Sequence, residues 1–275
     1  MEKDTVAITG ANGFIGQELT RYFLNQNFKV IGLARKKIEI DHPDFTFFEF
    51  HLESTRNLEF LESTDIIIHC AFVPWSESQP NSSEINCEAT MALAEYCEMH
   101  KKKFVFLSSF SAHENANSHY GKHKFFLEEK LKQHHLVIKP GLVTGSRGLF
   151  SRLQKIVSDR KIIPVIGGGD YPIQWVAVDE VCRAIHLAIS KALTGVINLA
   201  SEESITYLQL LERLAERKNK KPVFVFVPVF VAALLLKIFG KKLPFTGENL
   251  KGLLQLRKFE TKESLEKIGI NIRDL

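Results

Sequence analysis

The stretch Thr5–Gly16, TVAITGANGFIG, decides the fold. Val6, Ala7 and Ile8 make a short apolar run of the kind buried in a parallel sheet, where both faces are covered and no polar alternation is required. Gly10, Gly13 and Gly16 then recur every third residue, directly before the helix-like Gln17–Leu24. At such a turn the first glycine permits a sharp bend, the second lets backbone amides approach a phosphate, and the third lets the helix lie close to the sheet. The helix N-terminus then offers amides and partial positive charge to an anion. A glycine-rich turn that binds nothing would also satisfy the spacing. The strand before it and the helix after it point instead to a dinucleotide pyrophosphate.

Working outward, Phe28–Ala34 reads as a second strand, Phe45–Phe50 as a third, Asp65–Ala71 as a fourth and Phe104–Leu107 as a fifth, with a helix over Glu84–Met99 after a loop rich in Pro, Ser and Asn. This alternation predicts an α/β fold, a Rossmann-like doubly wound parallel sheet. The end of the second strand bears on cofactor choice. An acid there would accept hydrogen bonds from the adenosine ribose hydroxyls, but the sequence continues Ala34, Arg35, Lys36, Lys37. No carboxylate stands there to repel a 2′-phosphate, and Arg35 can clamp one through paired charge-assisted hydrogen bonds, so NADP(H) is favoured and NAD(H) remains an alternative.

The 275 residues are 45% hydrophobic, enough for one large or two modest domains, and the net charge of +4 comes from scattered Lys and Arg. The run Lys101–Lys103 reads as the solvated end of a helix, and no nucleic-acid partner is expected. Cys70, Cys87, Cys97 and Cys182 form no C-x-x-C pair and read as reduced thiols. His113, His119, His123, His134 and His135 lack ligand spacing, so no metal site is expected. The beginning MEKDTVAITG has acids where a signal peptide needs an apolar core, which implies a cytoplasmic location. The most apolar run, Val223–Leu236, is interrupted by Pro228 and is too short for a transmembrane segment. It reads as a strand over 223–227 and a helix over 229–239, with buried packing as the favoured account and a membrane-surface role as the alternative.

Tyr120 and Lys124 lie four residues apart in HYGKHKFFLEEKL and so share one helical face, while Ser109 precedes them at a strand end. An ammonium at ~4 Å in an effective dielectric of ~20 contributes roughly 4 kcal/mol, about three pKa units, which would bring a phenol of pKa ~10 near neutrality. Such a phenol is an acid/base at neutral pH. Singly, the three residues read as a helix-start Tyr, an exposed Lys and a capping Ser; their order after the glycine loop supports the joint reading.

TGANGFIG, Ser108-Ser109 and Tyr120-x-x-x-Lys124 resemble the short-chain dehydrogenases/reductases. IKPGLVTG (138–145), IPVIGGGD (163–170), WVAVDEVCRAI (175–185) and GVINLAS (195–201) resemble their extended branch, the NAD-dependent epimerase/dehydratase family. The resemblance implies that Tyr120 transfers a proton at a carbonyl or hydroxyl oxygen, that Ser109 hydrogen-bonds that oxygen, and that Lys124 holds the nicotinamide ribose and lowers the Tyr pKa. It implies cofactor contacts from Gly10, Asn12, Gly13, Phe14, Ile15 and Gly16, from Ala71 beside the adenosine half, and from Pro140 and Val143 beside the nicotinamide. It implies that residues 1–144, with 179–201 returning, form the dinucleotide-binding domain, and that 145–178 and 202–275 form a smaller substrate lobe. Asn86 matches a helix Asn of the family that supports the site, with capping or packing as its other reading.

Three departures bear on substrate. The Arg that binds a nucleotide-sugar pyrophosphate in R-D-F-V-H-V-D-D patterns is missing from the corresponding Ile173–Glu180. His51 stands where an Asp is usual near adenine, and Lys139 replaces a frequent Arg. Three functions stay open: an NAD(P)-dependent oxidoreductase of a small molecule bearing a carbonyl or hydroxyl; a nucleotide-sugar epimerase or dehydratase with tightly retained NAD; and a non-catalytic NADP-binding sensor or scaffold. Outward-facing helices also allow a homodimer.

Overall fold

The computed structural model describes residues 3–55, 58–239 and 246–275. Its centre is a seven-stranded parallel sheet built from β1 (Thr5–Thr9), β2 (Lys29–Ala34), β3 (Phe45–Glu49), β4 (Ile66–His69), β5 (Lys103–Leu107), β6 (Leu136–Pro140) and a late strand, β11 (Gly195–Leu199). The strand order is β11-β6-β5-β4-β1-β2-β3. The chain moves one way from β1 to β3 and then returns to place β4 on the other side of β1. That reversal opens a crevice at the carboxyl ends of β1 and β4, the place where doubly wound sheets bind ligands.

Strand periodicity divides the core in two. Val6 and Ile8, Ile66 and Ile68, Val105 and Leu107, and Leu136 and Ile138 point to one face. There they meet Leu19 and Phe23 of α1 (Phe14–Asn25) and Val181 and Ile185 of α5 (Val178–Ser190). Ala7, Ile67, Phe104, Phe106 and Val137 point to the other, against Ala89 and Leu93 of α2 (Ser82–Met99) and Leu127 and Leu131 of α3 (His119–Leu131). With both faces covered, the strands are continuously apolar, as the sequence of β1 predicts.

A third cluster, including Phe150, Val165, Trp175 and Leu211, draws on α4 (Gly148–Asp159), β8 (Ile162–Ile166), β10 (Trp175–Ala177) and α6 (Tyr207–Arg217). Three two-stranded sheets surround it: β10 with β7 (Leu142–Thr144), β12 (Ile205–Thr206) with β9 (Pro172–Ile173), and β13 (Val223–Val227) with β8. The helix α7 (Val229–Phe239) follows β13, and α8 (Gly247–Leu254) and α9 (Lys262–Ile268) end the fold. Residues 240–245, within the expected substrate lobe, lie outside the described residues. Among the described residues no helix is long and apolar enough to cross a membrane.

Several boundaries differ from the sequence reading; α2, for example, begins at Ser82, not Glu84, and β4 covers Ile66–His69, not 65–71. α1 begins at Phe14, not Gln17, because the helix starts inside the glycine loop. α3 begins at His119, before Gly121, because the Ser118 hydroxyl accepts the Gly121 amide at 3.0 Å and caps the first turn.

Candidate functional site

The glycine loop lies at the mouth of the crevice. Gly10 has φ +67°, and a Cβ there would sit 2.8 Å from the Ala71 nitrogen; a Cβ on Gly16 would overlap the Gly10 carbonyl oxygen. The first glycine therefore fixes the turn against the end of β4, and the last brings α1 onto the loop. No side chain caps α1, whose N-cap is Gly13, and its first turn carries no acid. Its amino end is left with the polarity that suits a phosphate.

A cavity of about 210 Å³ opens beside it, lined by Gly10, Asn12, Gly13, Ala34, Arg35, Ala71 and Phe72, among others. Arg35 is exposed and pairs with no carboxylate among the described residues. These features fit a dinucleotide: an open-ended helix for the diphosphate, a glycine surface with no room for a Cβ, and an unpaired guanidinium just past the end of β2. The cavity also shows what the sequence reading missed. Phe50, Leu52 and Glu53, just past β3, line it as well, so a carboxylate does stand in the same cavity as Arg35. No motif in the sequence marks the turn after β3 that brings 50–53 to this cavity. His51 instead pairs with Glu49 at 3.0 Å on the surface.

A buried hydrogen-bond chain holds this floor. Thr9 Oγ1 accepts the amides of Cys70 and Ala71, both at 3.1 Å, which occupies its lone pairs. Its hydroxyl therefore donates to His69 Nδ1 at 2.7 Å, and His69 Nε2–H donates to Thr90 Oγ1 at 3.1 Å. Thr90 donates to the Asn86 carbonyl at 2.6 Å, and the Asn86 side chain bonds both the nitrogen and the oxygen of Val73 at 2.8 Å. Burial pushes the His69 pKa down to about 3, so the ring is neutral in this single tautomer. Asn86 is thus a clamp on the loop that follows β4.

The capped start of α3 and the end of β5 bring the Ser109 side chain close enough to Tyr120 to act on its phenol. The Tyr120 ring meets Phe72 edge-on at 4.9 Å between centroids. Lys124, one turn further, is buried; its Nζ donates to the Leu107 carbonyl at 2.7 Å and lies 4.3 Å from the Phe106 ring centroid. This corrects the electrostatic expectation for the phenol. Desolvation raises the Tyr120 pKa although the side chain is 36% exposed, the Ser109 side chain alone opposes it, and burial lowers that of Lys124 to about 8. The ammonium is spent on a carbonyl and an aromatic face, not on the phenol.

Ser108, the other member of the pair, faces inward. Its hydroxyl donates to Glu128 Oε2 at 2.9 Å, and Lys139 Nζ meets Glu128 Oε1 at 2.7 Å in a buried ion pair joining β5, α3 and β6. Pro140 is buried at the end of β6, where its carbonyl accepts the Phe110 amide at 3.0 Å. Val143 pairs with Val176, and Ile15 packs against the first core cluster. The Phe14 ring lies under Gly145 and Gly148. Among the described residues no His, Cys, Asp or Glu cluster could hold a metal ion. A larger cavity, about 510 Å³ and lined by Trp175, Arg217 and Arg273, includes none of the expected catalytic or cofactor residues.

The family model for the NAD dependent epimerase/dehydratase family matches residues 6–200. The chain belongs to this family. Its members are enzymes. Among curated relatives, an epimerase family protein (YfhF) of Bacillus subtilis is 24% identical over 82% of this chain and 83% of its own length, and a ceramide reductase of Caulobacter vibrioides is 22% identical over 82% and 74%. Among solved structures, a UDP-glucose 4-epimerase of Thermotoga maritima with UDP-glucose superimposes with a TM-score of 0.74 at 20% identity, covering 98% of this chain and 94% of that chain. A dTDP-glucose 4,6-dehydratase of Streptomyces venezuelae with NAD bound gives a TM-score of 0.75 at 17% identity, covering 98% and 92%. At these identities the structural likeness is one of fold, and it agrees with the Rossmann-like sheet read from Thr5–Gly16.

Proposed function

We propose that the chain is an NADP(H)-linked oxidoreductase acting at a carbonyl or hydroxyl carbon of a small molecule, with Tyr120 as proton donor and acceptor. The observation that carries this reading is the approach of Ser109 to Tyr120 at the carboxyl end of β5, with Lys124 one turn along the same helix. Gly10, Asn12, Gly13, Phe14, Ile15 and Gly16 would hold the diphosphate, Arg35 the 2′-phosphate, and Ala71 would flank the adenosine half. Lys124 would hold the nicotinamide ribose, with Pro140 and Val143 alongside. When bound, the dinucleotide supplies the hydride chemistry.

Because burial raises its pKa, Tyr120 is protonated at neutral pH. A neutral phenol is the form that donates a proton to a carbonyl oxygen, which supports the reductive direction. Ser109 orients the phenol and offers a second hydrogen bond to the same oxygen. Lys124, with a pKa of about 8, is still mostly cationic at pH 7 and can exchange its carbonyl partner for a ribose hydroxyl.

Two side chains argue against a nucleotide-sugar substrate. Ile173, at the position of the missing Arg, is buried in the third core cluster. Gln174 is fully occupied as a brace, donating to the Ser201 and Phe259 carbonyls at 2.8 and 3.0 Å and accepting the Phe259 amide at 2.8 Å. Neither offers charge to a diphosphate. Likeness of fold to nucleotide-sugar enzymes favours the second reading, an epimerase or dehydratase that retains NAD. In either case residues 145–178 and 202–275 serve as the substrate lobe, and exposed Phe126 on α3 suits a homodimer contact.

The test is to denature the purified protein and identify any nucleotide released. The account expects little retained nucleotide and reversible NADPH binding; stoichiometric retained NAD would overturn it in favour of the epimerase reading. Tyr120→Phe should abolish carbonyl reduction and leave NADPH affinity intact, whereas unchanged turnover would refute its role.

A further inference from the structure

The segment from β13 through α7 does not bury its apolar residues as the sequence reading expects. In the parallel pair of β13 and β8, Val223 stands beside Ile162 and Val225 beside Pro164. Ile163, Val165 and Phe224 turn inward to the third core cluster. The outward side is therefore Ile162, Pro164, Val223 and Val225, all exposed and all apolar, where an ordinary solvent face would be polar. On α7 the outward stripe is Phe230, Leu234 and Ile238, spaced four residues apart, with Phe230 74% and Ile238 63% exposed. Single exposed apolar residues are unremarkable, but two adjoining elements with apolar outer faces mark an interaction surface.

The charge around this surface says what covers it. From Arg217 to Phe239 the sequence contains no Asp or Glu and five basic residues: Arg217, Lys218, Lys220, Lys221 and Lys237. Because β8 and β13 run parallel, Arg160 and Lys161 stand at the same end of the pair as Lys220 and Lys221, and all four are exposed. None of Arg160, Lys161, Lys218, Lys220, Lys221 and Lys237 pairs with a carboxylate among the described residues. An apolar stripe bordered by unpaired lysines matches an anionic lipid surface, with the stripe in the acyl boundary and the lysines at the headgroups.

We propose that the β8–β13 pair and α7 dock the protein on the surface of an anionic lipid bilayer. The helix lies in the interface and does not cross it, since its 11 residues are too few to span the hydrocarbon. This attachment goes beyond the proposed reaction and is independent of Tyr120.

The test is co-sedimentation of the full chain with vesicles of phosphatidylcholine alone and with vesicles in which part of the lipid is phosphatidylserine. Binding should be strong only to the phosphatidylserine vesicles and should weaken as salt rises. Lys218→Glu/Lys220→Glu/Lys221→Glu, confined to an exposed turn, should lower partitioning about a hundredfold, taking roughly fivefold per lost cation as a minimum. Phe230→Ser/Leu234→Ser should also release the protein, with NADPH affinity and circular dichroism reporting that the fold is intact. Absence of wild-type binding to phosphatidylserine vesicles, equal binding to both vesicle types, or binding indifferent to both variants would each overturn the proposal. So would a concentration-dependent dimer that Phe230→Ser abolishes in a protein that ignores vesicles, which would make the covering partner a second copy.

Discussion

Replacing His69 by glutamine should make the protein less sensitive to acid. His69 is buried at the end of β4, accepts from Thr9 and donates to Thr90, and its pKa is lowered to about 3. In the unfolded chain a histidine titrates near ~6.5. As pH falls through that value the unfolded state takes up a proton that the folded state refuses, so stability is fully present above ~6.5 and falls by about 1.4 kcal/mol per pH unit towards the folded value. Between pH 7 and pH 5 this amounts to about 2 kcal/mol for His69. His123, lowered to about 4 by burial and by Lys124, adds a similar loss over the same interval. Glutamine can bond both threonines but does not titrate. Urea unfolding at pH 7 and pH 5 should therefore show His69→Gln losing about 2 kcal/mol less than the wild type. Equal losses in the two proteins would show that His69 is not held neutral, and the bond assignment from Thr9 to Val73 would fall with it.

Glu128→Gln removes the partner of buried Lys139 and should destabilise the fold by about 3–5 kcal/mol, read as a lowered urea midpoint. Joint replacement of Glu128 and Lys139 by Leu and Met should recover much of that loss. Gly16→Ala sets a Cβ against the Gly10 carbonyl oxygen and must displace the loop or α1. It should weaken dinucleotide binding by about tenfold or more, a cost of roughly 1.4 kcal/mol, measured by fluorescence titration of NADPH.

The parts of the molecule that were legible in the sequence are those with local causes. The glycine spacing after an apolar run located β1, the loop and α1, and Pro228 separated β13 from α7 at the residues expected. Ser109 and Tyr120 lie near each other because a strand end and the following capped helix are neighbours at the same edge of the sheet. What stayed hidden depends on partners distant in the chain. Lys124 shares a face with Tyr120, yet its direction is set by the Leu107 carbonyl and the Phe106 ring, so the phenol's pKa rises when the spacing suggests a fall. Lys139 reads only as the replacement of a frequent Arg, and nothing in the sequence marks Glu128 as its partner until α3 and β6 bury them against each other. Glu53 enters the cavity beside the glycine loop through a turn that no motif marks. The apolar run at 223–236 reads as core, but its outer half meets no other described element closely enough to be buried.

The central claim is tested most directly by titrating NADPH and NADH separately into the wild type and Arg35→Ala. A charge-assisted guanidinium–phosphate contact contributes about 1.5–3 kcal/mol. The account predicts that NADPH binds the wild type roughly ten- to a hundredfold more tightly than NADH, and that Arg35→Ala removes most of this difference while leaving NADH little changed. Equal affinities in the wild type, or equal losses for both nucleotides in the variant, would contradict it.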